Sequence, residues 1–196
     1  MEKNKIKNLL IQNNTYLIFI GLIIVCAIVS NRFLTVMNLR NIAMQQAGPI
    51  CVVLGMLFVI LTGGIDLSVG SVAGLAGMIA GGLVPEGLTL KFAGVTVYFS
   101  VPLVVLITIL MGALVGALNG VVITKFNVAP FIATLGSMYI CRGLANIRSN
   151  GATFSELAGH EGLGNTGFEF FGRNFMGTMI PVGVIILAIV AVIAGL

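Results

Sequence analysis

One apolar stretch constrains the fold more than any other: it runs from Ala47 to Val84 and contains a single charged residue, Asp66. A helical membrane crossing takes roughly 20 apolar residues, so this stretch is long enough for two crossings with a break between them. The adjacent glycines Gly63 and Gly64 predict where the break lies, because glycine gives the backbone the freedom to turn. The pattern predicts a polytopic membrane protein with a broken hairpin at Gly63–Ser71.

Composition supports this interpretation. Mean hydropathy is +1.13, and 8% of the residues are charged, against about a quarter in soluble domains. The net charge of +4 is small and the basic residues are scattered, which argues against a nucleic-acid surface. Cys26, Cys51 and Cys141 lie in apolar segments without metal-ligand spacing, so we interpret them as small hydrophobic residues. We expect one all-α membrane domain over residues 1–196.

The apolar runs predict about six membrane-spanning helices. They are Tyr16–Val29, a run that begins near Ala47, Ser71–Val84, Val101–Thr124, Phe131–Ile147 and Phe175–Leu196. The first run is short and follows a basic leader, so a secretory signal peptide is the alternative. A retained span is favoured because no clear small-residue cleavage site follows.

The segments between these runs differ in character. Ser30–Gln46 has apolar residues at helical spacing and predicts a short amphipathic helix at the membrane interface. Pro49 then falls in the first turns of the second span, where a missing amide costs least. Pro85–Ser100 is predicted to be a loop, and Ser149–Asn174 is the longest polar segment.

Charge placement favours a cytoplasmic amino terminus, because positively charged residues collect on that side of a membrane. The supporting residues are Lys3, Lys5, Lys7 and Lys125 inside, with Glu156, Glu161 and Glu169 outside. Arg32 and Arg40 would lie outside and are the discordant pair. Arg142 interrupts the fifth span, and its side chain either extends to the interface or faces a polar interior.

Two sets of glycines recur on helical faces. They are Gly70, Gly74, Gly77 and Gly81 in the third span, and Gly112, Gly116 and Gly120 in the fourth. Small residues on one face let another helix approach closely, so we predict that both sets serve helix packing.

Two polar residues in these spans each have two interpretations. Asn119 is either a group that binds a solute hydroxyl or a partner in an interhelical hydrogen bond, and the second is favoured. Asp66 is either a charged contact in a solute path or a helix-start cap, and the cap is favoured. Asp66 or Ser68 can accept hydrogen bonds from the unpaired amides of a new helix.

Catalytic chemistry finds little support in the sequence. A serine hydrolase would need Ser68 or Ser71 near His160, but that histidine lies in a loop beyond two or more spans. No G-x-x-x-x-G-K-[ST] motif for nucleotide phosphates occurs. His160 with Glu156 and Glu161 is a thin ligand set, which we interpret as a solvated loop rather than a metal site.

Two long blocks resemble one transporter family. They are GGIDLSVGS followed by VAGLAGMIAGG, and GALNGVVITKFNVAPFIATLGSMYICRGLA with its Pro-Phe-Ile-Ala-Thr-Leu core. Both resemble the permease subunits of bacterial ATP-binding-cassette sugar importers of the ribose, xylose and galactose type, and the resemblance covers nearly the whole chain.

The resemblance implies a permease in the bacterial plasma (inner) membrane that forms a translocation path for a pentose or hexose. It implies a second permease subunit, a cytoplasmic ATPase that holds the ATP and magnesium, and an external sugar-binding protein, with no cofactor in this chain. The family's permeases continue with further spans, so we expect this chain to be the amino-terminal part of a longer protein.

For the solute path we predict a set of polar and aromatic side chains: Asp66, Ser68, Asn119, Phe131 and Thr134. Aromatic faces suit the apolar face of a sugar ring, and neutral polar groups suit its hydroxyls. The alternative function is a self-sufficient channel or an ion-coupled secondary transporter for a small polar solute. Ion coupling usually places carboxylates or histidines within the spans, and here only Asp66 qualifies.

Overall fold

The computed structural model describes residues 14–90, 94–154, 157–172 and 180–195. Several charges used for the predicted orientation lie outside the described residues: Lys3, Lys5, Lys7 and Glu156, as do Lys91 and Arg173. The chain divides into two compact units, Met1–Gln46 and Ala47–Leu196. The first unit contains helix α1, Asn14–Val29, and the beginning of helix α2, Val36–Leu61.

The second unit contains the rest of α2 and the remaining elements. In chain order these are α3 (Val69–Leu83), β1 (Leu88–Leu90), β2 (Val95–Val97), α4 (Val101–Lys125), α5 (Pro130–Ser149), a short 3-10 helix (Phe168–Gly172) and α6 (Val182–Ile193). The helices α3, α4 and α5 follow the predicted runs closely. Within this unit α3 packs most extensively against α5 and next against α4.

Helix α2 differs from the prediction. The sequence predicts a separate amphipathic helix in Ser30–Gln46 and a second span that starts near Ala47, with Pro49 in its first turns. Both details are wrong, because one helix runs without interruption from Val36 to Leu61 and contains Pro49 in its interior. A proline removes one backbone hydrogen bond, but apolar helices in membrane proteins tolerate that loss when neighbouring groups compensate for it.

The predicted loop Pro85–Ser100 contains a small antiparallel hairpin. Leu88 pairs with Val97 and Leu90 pairs with Val95, and the intervening threonines of the two strands lie with their hydroxyl oxygens 3.1 Å apart. The β-branched residues valine and threonine favour strands over helices. The all-α prediction therefore holds for the spans, and this hairpin is an addition to it.

The helices carry most of their apolar side chains on the outside. A buried cluster of Leu83, Val84 and Val104 lies where the end of α3 meets the start of α4. Elsewhere the helices are largely exposed: in the most apolar 18-residue stretch of each helix, only 6% of the residues are buried in α2 and 11% in α4. Soluble proteins rarely expose so much continuous apolar surface, whereas helices in contact with lipid do.

Length and apolarity qualify two of the described helices as membrane crossings, α2 and α4. Three shorter apolar helices, α1, α3 and α6, accompany them. The last predicted span began at Phe175, but residues 173–179 lie outside the described residues, and α6 begins at Val182. A membrane protein built from helices is thus supported, and the number of about six crossings stays a prediction.

Candidate functional site

The break between α2 and α3 is built on the predicted glycines. Gly63 adopts a positive φ of 74°, a conformation that favours glycine. Its amide donates to the carbonyl of Ile60 at 2.9 Å, and the amide of Gly64 donates to the carbonyl of Val59 at 3.1 Å. These two bonds form a Schellman motif, which satisfies the last carbonyls of α2 and turns the chain out of the helix.

Asp66 binds the residue that immediately precedes α3. Its Oδ1 accepts hydrogen bonds from the Ser68 amide at 2.7 Å and from the Ser68 hydroxyl at 2.6 Å. Ser68 occupies the N-cap position of α3, but its side chain makes no capping hydrogen bond. Of the two predicted acceptors, the Ser68 hydroxyl oxygen does not cap the helix and instead accepts a hydrogen bond from Asn119, whereas Asp66 accepts from the Ser68 amide at the N-cap.

Asn119 joins three helices. Its Nδ2 donates to the Ser68 hydroxyl oxygen at 3.3 Å, and its Oδ1 accepts a hydrogen bond from the Ser137 hydroxyl on α5. Asn119 is 7% exposed, so this amide bonds inside the protein. The favoured interpretation, an interhelical hydrogen bond, is what the structure contains. Ser137 was not predicted, although it lies one turn along α5 from the predicted Thr134.

Thr134 holds the backbone of the break against α5. Its hydroxyl oxygen accepts a hydrogen bond from the Leu67 amide at 3.1 Å. The hydroxyl proton is directed to the Pro130 carbonyl at 2.9 Å, with the Ile65 carbonyl 3.3 Å away. The side chain is 2% exposed. The turn is therefore fixed by side chains from α4 and α5, each far away in sequence.

A cavity of about 460 Å³ opens beside this network, and we name it the Asp66 cavity. It is lined by Val59, Thr62, Gly64, Ile65, Asp66, Gly116, Asn119, Gly120, Ile123, Thr124, Pro130 and Thr134. Its volume lies in the range typical of sites for small molecules. Apolar walls with a few polar groups are also typical of such sites.

Three of the five predicted path residues line this cavity, namely Asp66, Asn119 and Thr134. Ser68 is 1% exposed and lies behind Asp66, while Phe131 is half exposed and is not among the lining residues. The structure adds two threonines to the site, Thr62 and Thr124. A threonine close to the end of an apolar helix gives no signal of its own, so sequence reasoning missed both.

The glycine sets lie mostly on open faces of the described structure. A Cβ atom added at Gly70, Gly74, Gly77, Gly116 or Gly120 would meet nothing within 4 Å among the described residues. At Gly112 it would touch Val72 of α3 at 3.8 Å, an ordinary contact, and at Gly81 it would meet Phe154 of the loop after α5 at 2.8 Å. Close helix packing at these glycines stays a prediction, and Gly116 and Gly120 instead line the cavity.

The remaining polar candidates lie elsewhere. Nε2 of His160 is 2.9 Å from the carbonyl oxygen of Pro85, just beyond the end of α3. Ser68 precedes the start of the same helix, which has 15 residues and is thus about 22 Å long. That separation excludes the hydrolase arrangement of Ser68 with His160. Arg142 is exposed and lines a second cavity of about 370 Å³ together with Gly70 and Gly74.

The chain is similar to known transport proteins over most of its length. A family model described as "Branched-chain amino acid transport system / permease component" matches residues 38–196. The ribose import permease protein RbsC of Bacillus subtilis (strain 168) is 37% identical over 177 residues, which are 88% of this chain and 50% of that protein. No solved structure matches the chain.

Two further relatives have related descriptions. The galactose/methyl galactoside import permease protein MglC of Escherichia coli (strain K12) is 31% identical over 186 residues, 90% of this chain and 52% of that protein. The fructose import permease protein FruG of Bifidobacterium longum (strain NCC 2705) is 38% identical over 132 residues, 67% of this chain and 36% of that protein. The chain thus spans about half the length of the ribose and galactose permeases that it matches.

Proposed function

The chain belongs to the family of permease components of branched-chain amino acid transport systems, and on that premise we propose that it contributes the translocation path of an ATP-driven sugar importer. The proposed cargo is a monosaccharide, a pentose or a hexose. One observation carries the proposal: the three relatives compared above, which share 31–38% identity with the chain, are each described as a permease that imports a sugar.

The Asp66 cavity is the proposed section of this path. Asp66, Asn119 and Thr134 supply polar groups to it, and Thr62 and Thr124 supply two more. Ser68 has an indirect role in this proposal, since its amide and hydroxyl fix the Asp66 carboxylate. Phe131 is not among the residues that line this cavity, and its role elsewhere in the path stays a prediction.

The proposed assembly follows the sugar importers that the relatives represent. A second permease subunit, identical or different, completes the path within the lipid bilayer. A cytoplasmic ATPase binds ATP and magnesium, an external sugar-binding protein delivers the cargo, and this chain carries no cofactor. The proposed location is the bacterial plasma (inner) membrane.

The proposed orientation places the amino terminus and the Asp66 cavity on the cytoplasmic side. The basic residue Lys125 at the end of α4 supports this side for the nearby cavity, by the positive-inside rule. Single cysteines at Thr124 and Glu161, both exposed, provide the test in a chain without its native cysteines. An impermeant thiol reagent applied to intact cells should label position 161 and spare position 124, and equal labelling refutes the orientation.

The alternative function, an autonomous channel or an ion-coupled transporter, makes a different prediction about energy. Uptake of radiolabelled ribose and galactose should be measured in host cells with and without the partner ATPase gene. The importer requires that loss of the ATPase abolishes uptake while a collapsed ion gradient, at maintained ATP, does not. Uptake that persists without the ATPase and stops with the gradient refutes the proposal.

A further inference from the structure

The hydroxyl groups of the Asp66 cavity have no proton to offer to a solute. Thr62 donates its proton to the Val59 carbonyl at 2.8 Å, and Thr124 donates to the Gly120 carbonyl at 2.7 Å. Thr134 donates to the Pro130 carbonyl at 2.9 Å. Threonines in helices often bond backward in this way. A hydroxyl carries one proton, so none of the three can donate to a solute. The oxygens of Thr62 and Thr124 can accept a hydrogen bond from one, while the oxygen of the buried Thr134 already accepts from the Leu67 amide.

The carboxylate adds a further acceptor. Oδ1 of Asp66 takes both hydrogen bonds from Ser68, and its Oδ2 has no donor among the described residues. The salt bridge found in the described part of the chain joins Arg148 to Glu86, beyond the far end of α3. No described cation is therefore paired with Asp66. Of the lining side chains, Asn119 alone retains a donor, the second proton of its amide nitrogen, since the first goes to Ser68.

From this distribution we infer that the Asp66 cavity is a charge filter, which admits neutral polyols and cationic solutes and rejects anions such as sugar acids and sugar phosphates. A neutral polyol offers the hydroxyl protons that the acceptors lack. An anion offers more acceptors, and its charge is repelled by the carboxylate in surroundings where Coulomb interactions exceed those in bulk water. The charge preference rests on the geometry alone, and only the identity of the solute as a sugar rests on the proposed function.

The test uses the purified chain in nonionic detergent and needs no transport assay. Cys26, Cys51 and Cys141 are replaced by alanine, and Thr124→Cys supplies a reporter inside the cavity. Rates of labelling are measured with a cationic trimethylammonium-ethyl and an anionic sulfonato-ethyl methanethiosulfonate. The expected result is that Asp66→Asn lowers the cation-to-anion rate ratio by about tenfold, the effect of roughly 1.4 kcal/mol.

The matched control removes the same charge at the opposite end of α3. Glu86→Gln should leave the ratio unchanged, because Glu86 and the Asp66 cavity lie at opposite ends of α3. That helix is about 22 Å long, which exceeds roughly two Debye lengths at physiological ionic strength. An equal fall with both substitutions, or no fall with Asp66→Asn, overturns the inference. Absence of labelling by either reagent overturns it too, since a dry cavity filters no solute.

Two further measurements keep the test decisive. If Asp66→Asn does not fold, the salt dependence of the unsubstituted chain replaces it: the ratio should approach that of the free reagents as salt screens the carboxylate. A ratio independent of salt contradicts the filter. Galactose should slow labelling at position 124 more than galacturonate does, and equal slowing by both contradicts it. Absence of slowing by any sugar counts against the proposed function, while the charge ratio still decides the filter.

Discussion

The two ends of helix α3 are both held by polar groups, but in opposite ways. At its start, the break end (Gly63–Ser68), side chains of α4 and α5 hold the turn, and acceptors remain free toward the Asp66 cavity. At its finish, the loop end (Leu83–Glu86), Asn165 and His160 reach the carbonyls of Val84 and Pro85.

The difference lies in what each end leaves unused. Asn165 is completely buried, and its amide both donates to Val84 and accepts from the His160 amide at 2.8 Å. At the loop end, both the nitrogen and the oxygen of the buried Asn165 side chain are hydrogen-bonded, as expected for a structural contact. The break end keeps an unpaired carboxylate oxygen, which is expensive in an apolar setting and is therefore typical of a functional site.

The largest expected effect is at the loop end. Asn165→Ala leaves the buried Val84 carbonyl and His160 amide without partners, so it should lower the free energy of unfolding by about 2–3 kcal/mol. Denaturant unfolding in detergent, followed by far-ultraviolet circular dichroism, measures this loss. Asn146→Ala, at an exposed position of α5, is the control and should have little effect. Equal stability of both variants would remove the structural role given to the loop end.

A smaller effect is expected for the interhelical pair at the break end. Asn119→Ala and Ser137→Ala, singly and together, form a double-mutant cycle on the hydrogen bond between α4 and α5. Such bonds in membrane proteins couple by about 0.6 kcal/mol on average and at most about 1.7. Unfolding in detergent yields the coupling energy. A value of zero would show that this bond does not help to hold the break.

The next comparison separates the charge of Asp66 from its hydrogen bonds. Asp66→Asn keeps an oxygen that can accept from Ser68, so we expect stability within a few tenths of a kcal/mol and most of the transport. Asp66→Leu loses both bonds and should cost about 1 kcal/mol, seen as less folded protein in the membrane. An Asp66→Asn variant that assembles normally but transports nothing would assign the charge itself to the mechanism.

The smallest effect is expected for the ion pair at the loop end. Arg148 and Glu86 are joined by a 3.0 Å contact, but their side chains are 32% and 55% exposed, and exposed pairs contribute about 0.2–1 kcal/mol. Glu86→Gln should therefore lower stability by less than Asn165→Ala does, and the loss caused by Glu86→Gln should vanish in high salt. Arg148 also lies over the ring of Phe154 at 5.3 Å. A loss that equals that of Asn165→Ala would reverse the ranking of these contacts.

The break could be predicted because adjacent glycines favour a turn of the backbone, and Gly63 adopts the positive φ that glycine allows. Asn119 could also be identified, since an amide in an apolar helix needs a partner wherever it lies. The partner Ser137 could not, because its contact depends on how α4 and α5 cross. Phe131 does not line the cavity, because helix rotation decides whether an aromatic side chain faces it and local sequence does not record that rotation; its role in the path stays a prediction.

The uninterrupted helix α2 was missed for another reason. A polar segment followed by proline usually indicates a boundary, and the sequence of Ser30–Pro49 contains both signals. In the structure, the helix begins in the polar segment at Val36 and continues through the apolar residues after Pro49 to Leu61. Local signals of this kind give way to the backbone's need for internal hydrogen bonds where water is scarce.

The residues that form the hydrogen bonds at the break leave the ribosome at different times, because they lie far apart in the sequence. The bond from the Ser68 amide to Asp66 is local, Asn119 follows Ser68 by 51 residues, and Thr134 follows Leu67 by 67 residues. At about 5–20 residues per second, synthesis takes roughly 3–13 s to reach Thr134 from Leu67. During those seconds Ser68 is the nearby hydrogen-bond partner of Asp66. The turn must therefore insert into the membrane before Thr134 of α5 can bind it.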